Sequence, residues 1–148
     1  MTIIKQSDFI QSIADALQYI SYYHPEDYLQ ALGRAHEAEH SPAAKDAIAQ
    51  ILTNSRMCAE GKRPLCQDTG IVVAFVKVGM NVKWDATLDI EQMVNEGVRQ
   101  AYMLPENKLR ASIVSDPAGK RANTKDNTPA VVHVSLVAGD KVDVQIAA

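Results

Sequence analysis

Four different functional groups stand side by side at Cys66-Gln67-Asp68-Thr69: a thiol, an amide, a carboxylate and a hydroxyl. A thiolate is a nucleophile or a soft metal ligand, and the three neighbours can hold a polar substrate or water. Pro64 fixes its own φ and biases Arg63 to an extended conformation. Gly70 permits a positive-φ turn before the apolar run Ile71-Val72-Val73-Ala74-Phe75-Val76. The stretch therefore predicts a rigid loop feeding a buried strand. The plainer alternative makes Cys66 one more small buried hydrophobe. A second spacing with chemical meaning is His36-Glu37-Ala38-Glu39-His40, which satisfies the H-E-x-x-H pattern of zinc peptidases. Residues four apart share a helix face. Pro42 follows closely, no third ligand is evident, and the face is polar, so solvated helix residues are the expected reading of His36, Glu37 and His40.

Cys66-Gln67-Asp68-Thr69-Gly70 resembles the first cluster-ligand motif of the class I, iron–sulfur fumarate hydratases and of the related L(+)-tartrate dehydratases. Leu109-Arg110-Ala111-Ser112 and Asn123-Thr124-Lys125-Asp126-Asn127-Thr128-Pro129-Ala130 resemble two later stretches of that family, in the right order and at the right distance. Asn54-Ser55-Arg56-Met57-Cys58-Ala59 extends the likeness upstream. The resemblance implies a hydro-lyase that interconverts (S)-malate and fumarate, with L(+)-tartrate dehydratase as the alternative on the same machinery. It implies a [4Fe–4S] cluster held by three thiolates, with one iron open as a Lewis acid.

On that resemblance Cys66 is the first cluster ligand, and the other cysteines lie outside this chain. Gln67 and Asp68 touch the substrate or organise water near the open iron; read from the residues alone, Asp68 only bonds its own turn. Arg110 grips one carboxylate of a small dicarboxylate through two parallel hydrogen bonds; otherwise it is a surface arginine. Cys58 matches no family ligand and lies one residue off an apolar stripe, so a buried structural role is expected. The segment Asn123 to Thr128 is expected to line the site as a structured loop. The general base is expected downstream, and no catalytic residue is assigned here. The rivals from other classes are a zinc peptidase and a non-catalytic module in which the cysteine loop is merely structural.

Composition narrows the field. The 148 residues fit a single domain and, at 47% hydrophobic, can bury a core. A net charge of −3 with no basic run argues against nucleic acid or an anionic membrane as partner. The longest apolar stretch, Ile71 to Val76, is too short to span a bilayer. The first residues lack the pattern of a signal peptide. Two cysteines make no disulfide framework, and a reducing cytoplasm is expected.

The positioning elements follow from local signals. Ser7 is a candidate cap for a helix with the face Phe9, Ile10, Ile13, Leu17 and Ile20. Pro25, with Glu26 and Asp27, opens a second helix carrying Tyr28, Leu29, Leu32 and Ala35. Ser41-Pro42 opens a third, carrying Ala44, Ala47, Ile48, Ile51, Leu52 and Ser55, and Gly61 is its expected stop. A strand is expected from Ile71 to Val78, ended by Gly79. Asp89 with Gln92 predicts a capping box for a fourth helix with the face Ile90, Met93, Val94, Gly97, Val98 and Ala101. Lys108 to Asn127 reads as a long loop with at most a short strand at Ile113-Val114, a length more often functional than idle.

Ala130 to Val137 and Lys141 to Ala148 alternate about Ala138-Gly139-Asp140, which predicts a terminal hairpin. The expected fold class is α+β: a three-helix N-terminal segment, then helices on a small mixed sheet ending in a hairpin. Residues 1–148 are expected to be one domain, the N-terminal lobe of a longer enzyme, because the resembled family continues past this point with a glycine-rich lysine motif. The partners implied are the remainder of the enzyme and a second copy in a homodimer; a naturally short chain with an edge strand is the alternative.

Overall fold

The computed structural model describes residues 2–66 and 70–148. In chain order its elements are β1 (Ile3–Lys5), α1 (Gln6–Tyr22), α2 (Glu26–Ala38), α3 (Pro42–Gly61), β2 (Val73–Gly79), β3 (Lys83–Asp85) and α4 (Ile90–Met103). A 3-10 turn (Pro105–Asn107), β4 (Val114–Ser115), β5 (Ala122–Asn123), β6 (Val131–Val137) and β7 (Val142–Ala147) follow. The helices and small sheets make an α+β fold, as expected. Two compact units are distinguished: the described residues of Met1–Gln18 with Gln67–Ala148, and Tyr19–Cys66.

The first unit is built on a mixed sheet in the order β6-β2-β7. β2 runs parallel to β6 (Val73↔Val131) and antiparallel to β7 (Val73↔Ala147). The predicted hairpin is thus corrected: β6 and β7 follow one another in sequence, but β2 lies between them. The connection Ala138–Asp140 instead crosses the end of β2. Gly79 makes this possible, since a Cβ there would stand 2.6 Å from the Gly139 carbonyl oxygen. The crossing is sealed by Gly79 N–H to Lys141 O at 2.8 Å and Asn81 N–H to Gly139 O at 2.9 Å.

Strand alternation sends Val72, Ala74, Val76 and Val78 into the core. They meet Phe9, Ile10, Ile13, Ala14 and Leu17 of α1 and Met93, Val94, Val98, Ala101 and Tyr102 of α4. Burying each large apolar side chain contributes about 1.5–3 kcal/mol. Both helical stripes have the spacing expected from the sequence. The helices touch closely at Gly97, where a Cβ would stand 2.6 Å from Ile13 Cβ and 2.8 Å from Ile10 O. The Asp89–Gln92 capping box forms as expected, with Asp89 Oδ1 accepting from Gln92 N–H at 2.8 Å. Leu104 and Pro105 end α4. A short parallel pair, β1 with β3, completes the unit and has no counterpart in the sequence reading.

Other boundaries moved. Ser7 lies inside α1 rather than capping it, because β1 runs straight into the helix; its hydroxyl bonds Asp8 instead. The strand starts at Val73, not Ile71. Lys108 to Asn127 holds two short strands, β4 paired antiparallel with β5, rather than one at most.

In the second unit, α2 and α3 pack on one another. Pro25 stands at the N-cap of α2, one residue before the expected place. Leu29 and Leu32 are half-buried, while Tyr28 and Ala35 are exposed. Ser41 caps α3, its hydroxyl accepting from Ala44 N–H at 3.5 Å. Of the expected face of α3, Ser55 is buried and Ala44, Ile48 and Leu52 are half-buried, whereas Ala47 and Ile51 are exposed; Cys58 is buried as well, so the covered stripe is narrower than expected. Gly61 is the last helical residue, and Lys62, at φ 47°, makes the left-handed exit that glycine was expected to supply. Ile20 is also more exposed than its place on the stripe of α1 suggested.

Candidate functional site

In the Tyr19–Cys66 unit, the thiol loop is laid back on the end of α3. The Cys58 carbonyl accepts from Lys62 N–H and from Arg63 N–H, the latter at 3.0 Å. The Cys58 thiol contacts Asn54 Oδ1 and the Pro64 carbonyl, each at 3.6 Å. Asn54 Nδ2 donates to Leu65 O at 3.5 Å, and Leu65 N–H to Ser21 O at 2.8 Å. Cys58 is buried at 7% and braces this loop, whereas Cys66, at its end, is exposed; neither is in a disulfide. The exposure of Cys66 departs from the alternative of a buried hydrophobe. Gln67 and Asp68 lie outside the described residues. His36 falls within α2, but the helix ends at Ala38, so His40 does not share its face and the zinc-peptidase helix is not formed.

In the other unit, Leu109 is buried and Ala111 partly so, both against the core, while Arg110 and Ser112 between and after them are exposed. The alternation of an extended backbone turns Arg110 outward. The stretch Asn123–Ala130 packs beside it through side chain to backbone bonds and one bond between backbones. Asn123 Nδ2 donates to Ala111 O at 2.7 Å, and Thr124 N–H to Ile113 O at 2.9 Å. Asn127 Oδ1 accepts from Ser112 N–H at 2.7 Å and Ile113 N–H at 3.2 Å, and its Nδ2 donates to Gly70 O at 3.1 Å. Lys125 and Asn127 adopt φ of 71° and 60°. Asn and Asp turn chemistry, expected for this stretch, is what builds it.

Helix α4 holds the same stretch from its polar side. Asn95 Oδ1 accepts from Ala130 N–H at 2.8 Å, and Arg99 Nε donates to Asp126 at 3.1 Å while also pairing with Glu96. Asn95 and Arg99 escaped the sequence reading, since polar residues on a helix face carry no signal of what they reach. Thr124 Oγ1 is a buried side-chain oxygen without a hydrogen-bond partner among the described residues. The arrangement can present a guanidinium to an anion from a backbone fixed on both sides.

The described residues contain no cluster of three or more His, Cys, Asp or Glu able to hold a metal ion. An exposed thiol at Cys66 has the softness and access that an iron–sulfur ligand needs, so the donor chemistry fits one ligand of a cluster and no more.

The family model described as fumarate hydratase (Fumerase) matches residues 10–148. A putative L(+)-tartrate dehydratase subunit alpha of Methanocaldococcus jannaschii is 32% identical, over 69% of this chain and 35% of its own length. The anaerobic class I fumarate hydratase of Escherichia coli K12 is 34% identical, over 79% of this chain and 21% of its own. The L(+)-tartrate dehydratase subunit alpha of the same strain is 24% identical, over 90% of this chain and 44% of its own. The chain therefore spans less than half the length of the curated relatives it matches.

Proposed function

This chain belongs to the fumarate hydratase (Fumerase) family, and from that premise we propose that it forms the N-terminal lobe of a class I hydro-lyase interconverting (S)-malate and fumarate. The observation that carries the reading is the family match over residues 10–148, which takes in all three motif stretches. A second reading, L(+)-tartrate dehydratase, is favoured by the names of two of the relatives above. The two differ in one hydroxyl on a four-carbon dicarboxylate.

In this reading Cys66 gives one thiolate to a [4Fe–4S] cluster whose remaining ligands come from beyond these residues. When bound, such a cluster supplies a Lewis acid to the departing hydroxide. The rest is work for the chain's own groups. Arg110 holds one carboxylate of the dicarboxylate in a planar, two-pronged grip that also fixes its rotation. Gln67 and Asp68 bond the polar groups beside the reacting carbon. The relatives named as alpha subunits are by name parts of larger assemblies; this lobe likewise works with the remainder of its enzyme, as a homodimer in the cytoplasm. No helix among the described residues is long and apolar enough to cross a membrane.

Anaerobic reconstitution of the complete enzyme with iron and sulfide tests the reading. It should give a brown, oxygen-sensitive protein that dehydrates (S)-malate, and Cys66→Ser should lose both colour and turnover. Turnover of L(+)-tartrate in preference to malate would select the second reading. A colourless, inactive protein would overturn both.

A further inference from the structure

Asn127 has no exposed surface, at 0%, yet its side-chain amide serves two separate backbone segments. Oδ1 accepts from the N–H groups of Ser112 and Ile113, two and three residues after Arg110, and Nδ2 donates a hydrogen bond to the carbonyl of Gly70, ahead of β2. Its φ of 60° is one that asparagine tolerates better than most residues. We propose that Asn127 is a positioning residue, which sets the place of Arg110 by pinning the backbone behind it to the entry of β2. The proposal rests on the reading of Arg110 as the carboxylate grip.

The physical case is one of constraint. An arginine head rides on a long flexible stem, so its reach is useful only if its Cα is fixed. Leu109 and Ala111 anchor that backbone through the core, and Asn123 Nδ2 holds the Ala111 carbonyl from the other side. Regular pairing begins later, at Val114. Between these anchors, the two amides bound by Asn127 lock the segment against Gly70. A buried amide bonded to three backbone groups is rigid in a way a solvated one is not. Arg99 holds the Asp126 carboxylate and Asn95 the Ala130 N–H, so residues on either side of Asn127 are tied to α4 and the pin itself does not drift.

Two substitutions in the complete enzyme separate the halves of the amide. Asn127→Gly keeps the backbone conformation and removes every bond. Asn127→Asp keeps the acceptor oxygen but, while ionised, sets no proton against Gly70 O. Amide hydrogen exchange reads the geometry without any cluster: at Ser112 and Ile113 it should rise about tenfold or more in Asn127→Gly and much less in Asn127→Asp. With the enzyme loaded, both variants should raise KM for (S)-malate by about tenfold, with a smaller change in kcat. Added to Arg110→Lys, Asn127→Gly should raise KM little further, because the two act through one contact. Unchanged exchange in Asn127→Gly, or KM effects that multiply in full, would overturn the proposal. An inactive wild-type enzyme would overturn the hydro-lyase reading instead, a result distinct from either.

Discussion

Arg99 and Asp126 meet at 3.1 Å, the guanidinium of a helix donating to the carboxylate of a loop. Burial pushes the Asp126 carboxyl up, but hydrogen bonds from the backbone N–H and hydroxyl of Thr128, and from Arg99, outweigh it and hold the group below the usual carboxylate range. The hydrogen bond to Asp126 in turn raises Arg99 above its ordinary value, against the effect of desolvation. A carboxyl depressed on folding contributes stability that is complete above its unfolded value, about 3.9, and lost as pH falls through the lower folded value. Asp126→Asn removes this titration while leaving an oxygen for Thr128. Melting temperature should therefore fall less steeply below about pH 4 in the variant than in the wild type. Parallel acid limbs would mean that this carboxylate carries no folded-state shift.

At Gly97 α1 and α4 pack closely. Alanine is the better helix former by about 0.8–1 kcal/mol, but its methyl would overlap Ile13 Cβ and Ile10 O, and overpacking typically costs about 1–3 kcal/mol. Because one clashing atom is backbone, a rotamer change cannot relieve it. Gly97→Ala should lower stability in denaturant titration; a gain would mean that the helices stand further apart than described.

Thr124 presents the opposite case, a buried hydroxyl with nothing to bond among the described residues. Thr124→Val keeps the shape and removes the desolvation cost, so it should be neutral or stabilising by up to about 1 kcal/mol. A loss above that figure would reveal a partner for the hydroxyl in the assembled enzyme, and calorimetry reads the sign directly.

Cys58 and Cys66 should part company in iron analysis. If Cys66 is the cluster ligand, as proposed, Cys58→Ala leaves that thiol in place, so the reconstituted protein should retain iron while melting earlier, since bonds to Asn54 and Pro64 are gone. Loss of iron from Cys58→Ala with retention in Cys66→Ser would reverse the roles assigned to the two sulfurs.

What the sequence made legible was local. The Asp89–Gln92 box, the Ser41 cap and the stripes of α1 and α4 are written within one or two turns of chain, where periodicity and capping chemistry decide the outcome. Strand pairing is decided at a distance. Ala138-Gly139-Asp140 has the composition of a hairpin turn, but the bare backbone at Gly79 lets that turn pass over another strand, and nothing near it announces this. The candidate site divides in the same way. Cys66 and Arg110 stand out by type, whereas Asn127, although inside a motif stretch, and Asn95 and Arg99 matter for the remote backbone or carboxylate that each one reaches.

The order β6-β2-β7 has a bearing on biosynthesis. The middle strand leaves the ribosome more than fifty residues before either neighbour, so its amides and carbonyls wait unpaired while α4 is made. Nascent chains halted before Val131 should expose that apolar ribbon and bind chaperones, and release should coincide with emergence of the last two strands.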